Sequence, residues 1–242
     1  MNVSNNKVLI TGGSSGIGLA LAAKLKSLNN YVVVTGRDQS KLDMAASKYK
    51  VDTYRCDLAD PNGVKALIKA VKEQHPDINL VINNAGLQYN YDFTGDVSFD
   101  KIEYEVEVNF NVVAKLCSAF LPMLLGDKES AIVNVSSGLA ISPKKSAPVY
   151  CATKAGVHMF TKALRYQMEG TNVKVFEVLP PLVDTPMTEG RGKGKMTPDA
   201  VAEEFIRGFE KNRFEMNIGK VKLLRMIQRI SPAIADSILK NN

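Results

Sequence analysis

The stretch KVLITGGSSGIGLALAAKL, residues 7–25, constrains this chain's architecture more than any other. An apolar run, KVLIT (7–11), breaks into Gly12, Gly13, Gly16 and Gly18, and then Ile17, Leu21, Leu25 and Leu28 recur at helical spacing. Strand, glycine turn and helix follow one another without a linker, and the pattern repeats. Further apolar runs occur at YVVVT (31–35), VDTYR (51–55), NLVIN (79–83), AIVNVS (131–136) and VKVFEVL (173–179). They are continuous rather than alternating, as in parallel strands buried on both faces. Helical segments lie between them. Asp60-Pro61 pairs an N-cap with a first-turn proline ahead of Val64, Leu67, Ile68 and Val71, and Thr197-Pro198-Asp199 opens another helix in the same way. The pattern predicts an α/β chain: a single Rossmann-like, doubly wound parallel sheet flanked by helices on both faces. With 242 residues, 45% of them hydrophobic, one domain over 1–242 is expected rather than two cores. The Gly/Lys-rich EGRGKGK (189–195) reads as a mobile loop.

Several classes are set aside by composition. No apolar run approaches the roughly 18 residues of a membrane span. The N-terminus enters a strand-like run directly, without the basic and apolar regions of a secretory signal. Cys56, Cys117 and Cys151 fit neither metal spacing nor a disulfide framework. A cytoplasmic protein without a metal site is the expectation. The net charge is +6, and residues 190–242 carry 11 basic against 6 acidic residues, so nearly all of the excess is C-terminal. A solvated basic rim is the ordinary reading, with attraction to an acidic substrate or membrane surface as alternatives. No recognition motif accompanies it, so no nucleic acid is expected. Residues 218–242 form a distinct basic amphipathic segment, with Leu223, Leu224, Met226, Ile227 and Ile230 set against Lys220, Lys222, Arg225 and Arg229. Such a segment caps its own core or a subunit interface; peripheral contact with an anionic membrane is the less favoured reading.

The glycine turn carries chemistry as well as shape. Glycines between a strand and a helix let a pyrophosphate approach backbone N–H groups, where the helix N-terminus adds partial positive charge. Gly12, Gly16 and Gly18 meet that need, Ser14 and Ser15 offer hydroxyls, and Ile17 leads into the helix. The acidic residue that would bind both ribose hydroxyls of NAD is replaced at the second strand's end by Gly36, and Arg37 follows. A guanidinium pairs with a 2′-phosphate, so NADP(H) is favoured over NAD(H), with the adjacent Asp38 weighing against. Asp57, with Leu58 beside it in RCDLAD, is a candidate acceptor for the adenine amino group.

Across residues 5–215 these features resemble the short-chain dehydrogenase/reductase family. The turn T-G-x-x-x-G-x-G is that family's form, and NNAG (83–86) supplies Asn84, Ala85 and Gly86 behind the cofactor. The segment VEVNFNVVA places Asn109 at the family's active-site asparagine, with Asn111 its rival. NVSS places Ser137 thirteen residues before Tyr150, with Ser136 the alternative, and Tyr150-x-x-x-Lys154 completes the set. A free phenol has a pKa of about 10, too high for a base near neutrality. A lysine one helical turn away shares its face, and its charge favours the phenolate.

The resemblance implies hydride transfer between a nicotinamide dinucleotide and a small carbonyl or alcohol substrate, with Tyr150 as general acid/base. It also implies that Lys154 bonds the nicotinamide ribose, Ser137 polarises the substrate oxygen and Asn109 positions a relaying water. Pro180, Val183 and Thr185 would contact the nicotinamide. The chain departs from the family's usual Pro-Gly at LPPLVDTPM, where Pro181 replaces the glycine. A homodimer or homotetramer is implied. A non-catalytic NAD(P)-binding sensor or scaffold is the alternative, against which the intact set of four stands. The combination LQ-x-x-YDF, LPPxVDT and IGKxKLL resembles a bacterial subgroup that includes the dehydrogenase encoded with genes for D-alanylation of lipoteichoic acid. Pocket walls are expected from LQYNYDF (87–93), LAISPKKSAP (139–148) and DTPMTEGRGKGKM (184–196). The first of these offers Tyr89 and Tyr91, and the last offers Arg191, Lys193 and Lys195 among glycines.

Overall fold

Side chains alternate across every inner strand, and the two apolar faces so created dictate where the helices go. In the computed structural model, which describes residues 1–126 and 128–241, seven strands form one parallel sheet. Asp127 and Asn242, the latter closing the expected segment 218–242, lie outside the described residues. The strands are β1 (Lys7–Ile10), β2 (Tyr31–Gly36), β3 (Asp52–Arg55), β4 (Leu80–Asn83), β5 (Ser130–Val135), β6 (Val173–Leu179) and β7 (Glu215–Asn217), in the order β3-β2-β1-β4-β5-β6-β7.

Val8, Ile10, Val34, Ile82 and Phe176 face one layer, packed with Leu21 and Leu25 of α1 (Gly16–Ser27) and Phe205 and Phe209 of α7 (Pro198–Glu210). Leu9, Val33, Val81, Ile132 and Val175 face the other. That layer holds α3 (Pro61–Gln74), α5 (Val112–Leu124) and α6 (Pro148–Gln167), which contribute Val71, Phe120 and Val157. Between them along the chain come α2 (Gln39–Tyr49) and α4 (Phe99–Val106). The expected caps form: Asp60 accepts from the Asn62 amide (2.9 Å) and Thr197 from that of Ala200 (3.2 Å), each with proline next.

β1 pairs with β2 on one side (Val8↔Val32) and β4 on the other (Val8↔Leu80). The chain therefore builds outward from β1 in two directions, and the helices leaving β1 and β4 diverge. That divergence opens a crevice at the carboxyl ends of the strands, the usual ligand position in such sheets.

Two features were not read from the sequence. β7 has only three residues, Glu-Met-Asn, with Met216 alone buried, so it lacks an apolar run; its register with β6 defines it. β3 was expected to be buried on both faces, but it is the sheet's edge, and none of its four side chains is buried.

The C-terminal segment forms two helices, α8 (Val221–Ile230) and α9 (Pro232–Leu239), because Pro232 cannot continue the first. They bury Val221, Leu224 and Ala235. They are also tied to the segment after β5, where Ser142 donates to Asp236 (2.5 Å) and the Lys145 amide to the Lys240 carbonyl (3.0 Å). Lys222 and Arg225 pair with Glu204 and Glu215, which neutralises part of the basic surplus. Among the described residues no helix is long and apolar enough to cross a membrane.

Phe120, with no exposed surface, should lose about 3–5 kcal/mol on truncation to alanine. Leu223→Ala, at a position 60% exposed on α8, should stay within about 0.5 kcal/mol. Equilibrium urea unfolding of the two variants checks the contrast.

Candidate active site

The crevice at the β1/β4 switch is a cleft of about 290 Å³. One end is built by the glycine turn. Ser15 caps α1 with extended backbone and makes no side-chain cap bond, and no acidic residue lies in the first turn. The first N–H groups of that helix are thus left for an outside acceptor. Gly18 does not line the cleft; it allows the turn to close. A Cβ there would lie 2.2 Å from the Gly12 carbonyl oxygen, and Gly12 itself has φ of 65°. Ser14, Ser15, Gly16 and Ile17 line the cleft with Gly12. These open backbone donors, with no side chain in the way, fit a dinucleotide pyrophosphate.

The opposite wall is stapled to this turn. Thr11 Oγ1 accepts from the amides of Asn84 and Ala85, both at 3.1 Å, while the Asn84 side chain donates to the carbonyls of Thr11 (3.0 Å) and Gly12 (3.2 Å). Deeper in the sheet, Asn83 donates to Asn134 (2.8 Å) and Asn134 to Thr161 (2.9 Å), tying β4, β5 and α6 together. Gly86 then brings the backbone past the Asn109 and Lys154 side chains.

Beyond the end of β2, Asp57 and Leu58 line the cleft, joined by Arg37, Asp38, Lys41 and Tyr104. Tyr104 was not predicted. Its hydroxyl receives the Arg37 guanidinium and donates to Asp57 (3.1 Å), so it bridges two residues that the sequence reading placed separately. Asp38, which weighed against a phosphate here, is occupied as the cap of α2. It accepts from Ser40 Oγ (2.7 Å) and the Lys41 amide (3.2 Å).

At the far end stand the four candidate catalytic residues. Asn109 lies in a π-helical turn, Glu107–Asn111, between α4 and α5; such bulges are frequent at functional sites. It is fully buried, and its side chain donates to the Leu87 carbonyl (2.8 Å) and accepts from the Leu87 amide (2.9 Å). Asn111 instead faces outward and bonds Glu107 (2.8 Å), which separates the two candidates. Ser137 and Ser136 are separated in the same way. Both serines line the cleft, but the Ser136 hydroxyl is given to Glu177 (2.5 Å), which also pairs with His158 (2.8 Å). The Ser137 hydroxyl accepts from the Leu139 amide (3.1 Å) and lies close enough to Tyr150 to act on its phenol. Lys154 Nζ lies 5.8 Å from the centre of the Tyr150 ring and donates to the Val135 carbonyl (2.9 Å). Asn109, one helical layer behind, reaches Thr153 Oγ1 (3.3 Å).

Comparison with known proteins agrees with this geometry. The sequence model of the family described as short chain dehydrogenase matches residues 6–195. The chain belongs to the short-chain dehydrogenase/reductase family. It is 39% identical over 235 residues to the oxidoreductase DltE of Bacillus subtilis (strain 168), covering 93% of this chain and 92% of that one. A short-chain dehydrogenase from Burkholderia cenocepacia J2315, solved with NADP, superposes with a TM-score of 0.88 at 23% identity, over the whole of both chains. One from Sphingobium yanoikuyae, solved with NADPH, gives 0.81 at 25% identity over 96% of both.

Burial dominates the electrostatics of Tyr150 and Lys154. Burial, the largest influence, pushes the Tyr150 phenol up to about 12, and the Ser137 hydrogen bond draws it down only in part. Burial also pulls the Lys154 ammonium down to about 8, opposed by the buried carboxylates Glu177 and Glu105. Lys154 therefore does not by itself bring the phenol into the neutral range.

Pro180, Val183 and Thr185 line the same cleft as Tyr150 and Lys154. The Val183↔Met196 bridge is made by the Asp184 amide (2.9 Å) and the Met196 amide (3.0 Å), leaving the Val183 N–H on the other side. The Thr185 amide donates to Thr188 Oγ1 (3.2 Å), so of these two residues Val183 has the less committed N–H. Pro181 leaves the turn intact, since the Pro180 carbonyl still receives the Gly138 amide (3.0 Å).

Glu105, fully buried, was also missed. It accepts from the Tyr89 amide (3.2 Å) and the Tyr91 hydroxyl (2.7 Å), holding the wall after NNAG. A signal existed: Glu105 and Asn109 are four residues apart, one helical face.

Gly18→Ala should destabilise the turn by about 1–3 kcal/mol and weaken dinucleotide binding at least tenfold. Thermal unfolding and fluorescence titration with NADPH measure the two effects.

Proposed function

We propose that the protein is an oxidoreductase that interconverts a carbonyl and an alcohol, using a nicotinamide dinucleotide with NADP(H) preferred. The observation that carries this reading is the convergence of Ser137, Tyr150 and Lys154 at one end of a cleft whose other end is an uncapped helix N-terminus. A pure binder has no need of a buried phenol beside a buried ammonium.

The bound dinucleotide would supply or accept the hydride. Gly12, Ser14, Ser15, Gly16 and Ile17 would hold its pyrophosphate, and Pro180, Val183 and Thr185 its nicotinamide end. Asn84, Ala85 and Gly86 form the wall behind, and Asp57 and Leu58 bound the adenine. In reduction, Ser137 holds the carbonyl oxygen and the Tyr150 phenol gives it a proton; in oxidation, the phenolate takes the hydroxyl proton. Lys154, 5.8 Å from the centre of the Tyr150 ring, would stabilise the phenolate and bond the ribose hydroxyls. Asn109 braces the Leu87 backbone in this structure, which fixes the substrate-side wall.

The sign of the pH dependence follows from the raised phenol. Its neutral form persists through neutrality, so carbonyl reduction has its proton donor ready. Oxidation needs the phenolate, whose fraction grows about tenfold per pH unit below the pKa. The rate of alcohol oxidation should therefore climb steadily from about pH 7 to 10 while reduction stays nearly level. Tyr150→Phe should lower turnover at least about 10²-fold with little change in NADPH affinity. Full activity in that variant would remove the acid–base role, and wild-type protein that binds NADPH yet turns over no carbonyl would favour a sensor or scaffold.

The preference for NADP(H) is supported by Gly36 in the acidic position, by Arg37 at the rim, and by Asp38 being held as a helix cap. Arg55, whose Nε reaches the Arg37 carbonyl (3.2 Å), adds a second positive charge there. Arg37→Gln should cut kcat/KM for NADPH at least about tenfold and leave NADH nearly unchanged. Equal losses with both cofactors would count against the phosphate contact.

A further inference from the structure

Two cations, Arg191 near Tyr150 and Lys144 near Arg191, are left without an assigned partner by the reaction proposed above. The first is Arg191, in the glycine-rich loop after β6. Gly190, Gly192 and Gly194 have φ of 72°, 56° and 65°, backbone that other residues rarely adopt, and a Cβ at Gly192 would meet Leu182 at 2.4 Å. These bends turn the loop inward. The Arg191 amide donates to the Thr188 carbonyl (3.0 Å) and its Nη2 to the Gln88 carbonyl (3.2 Å). Thr188 and Leu87, the neighbour of Gln88, both line the cleft. Arg191 Nη1 is buried and has no hydrogen-bond partner.

The second cation is Lys144, half-buried on the wall after Ser137, where burial and then the Arg191 charge disfavour its ammonium. The guanidinium also acts on Tyr150 and Glu105, so the groups share one corner of the site. Neither cation has an ion-pair partner among the described residues. Glu105 attracts Arg191, but its oxygens are taken by the Tyr89 amide and the Tyr91 hydroxyl. The loop's other lysines are elsewhere: Lys195 holds Asp184 (3.3 Å) and the Thr188 carbonyl (2.7 Å), and Lys193 is exposed. A buried N–H left without an acceptor is costly, and the cost is removed when an acceptor arrives from outside.

We infer that Arg191 and Lys144 bind an oxyanion on the substrate, so that the compound oxidised or reduced at Tyr150 is an acidic one, an oxo or hydroxy compound bearing a carboxylate or a phosphate. The fork of a guanidinium suits either oxyanion. This inference rests on the oxidoreductase reading and names the substrate class of that same site.

The test has an activity arm and a binding arm. In the first, oxo carboxylates, their methyl esters and phosphate-bearing oxo compounds of matched length are assayed with NADPH. The wild type should favour the anionic members at least tenfold in kcat/KM, and whether carboxylate or phosphate leads identifies the source of the oxyanion. Arg191→Gln and Lys144→Gln should each lower the anionic-to-neutral ratio at least fivefold, mainly through KM. Arg191→Lys should retain part of it, and Lys193→Gln, a change of the same charge in the same loop, should leave the ratio in place. In the second arm, NADPH-loaded protein is titrated calorimetrically with malonate and with inorganic phosphate. At least one should bind to the wild type, and Arg191→Gln should weaken it at least fivefold. A wild type that prefers the esters, a ratio unmoved by Arg191→Gln, or anion binding indifferent to that change overturns the inference. Anion binding that depends on Arg191 in a protein without turnover on any member would instead keep the anion site and sink the oxidoreductase reading.

Discussion

The contact on which the rest of the site depends is between two pieces of backbone and one threonine. Thr11 ends β1 and accepts from both Asn84 and Ala85, while Asn84 returns two bonds to the carbonyls of Thr11 and Gly12. Those bonds lock the turn after β1 to the segment after β4, across the switch point of the sheet. The lock is possible only because the first turn of α1 crosses the Gly12 carbonyl at Gly18, where any side chain would collide. Everything downstream inherits this geometry: the α1 N-terminus points into the crevice, and Gly86 starts the substrate-side wall at a fixed place. The threonine hydroxyl and the asparagine amide are thus as much part of the cleft as the residues that line it.

The reacting end shows the opposite design. Tyr150 and Lys154 are positioned by α6, which is anchored by Val157 and Leu164 against the sheet. Burial raises the phenol and lowers the ammonium, so both groups are held toward their neutral forms. The phenol therefore keeps its proton through neutrality, so the form that can donate to a carbonyl oxygen predominates over the phenolate that an alcohol's proton would need. A cation brought beside the ring on binding would shift that balance toward the phenolate.

Legibility in the sequence followed range. The glycine turn, the first six strands and the Tyr150/Lys154 pair are local patterns, each set by spacing within one element, and they were readable. Ser137 and Asn109 needed the family pattern, because a strand-end serine and a helical asparagine carry no signal alone; the structure separates them from Ser136 and Asn111 by direction. β7 was illegible because three residues with one apolar side chain have no periodicity, and its pairing with β6 comes from chain ends far apart. Tyr104 escaped for a related reason. On α4 it reads as one more polar-face residue, and its place between Arg37 and Asp57 exists only once three separate connections converge.

The buried charges complete the account of why Lys154 remains usable as a cation. Alone, an ammonium 3% exposed would be strongly disfavoured. Two buried carboxylates act against that, Glu177 from β6 and Glu105 from α4, and each is held by other partners rather than by the lysine. Glu177 is fixed by Ser136 and His158, and Glu105 by the Tyr89 amide and the Tyr91 hydroxyl. Among the described residues neither acid forms an ion pair with Lys154 that would immobilise it, and its ammonium donates to the Val135 carbonyl. The arrangement attracts the charge at a distance and leaves the donor available. Glu105 also attracts Arg191, so one buried carboxylate acts on both Lys154 and the basic loop and couples their electrostatics.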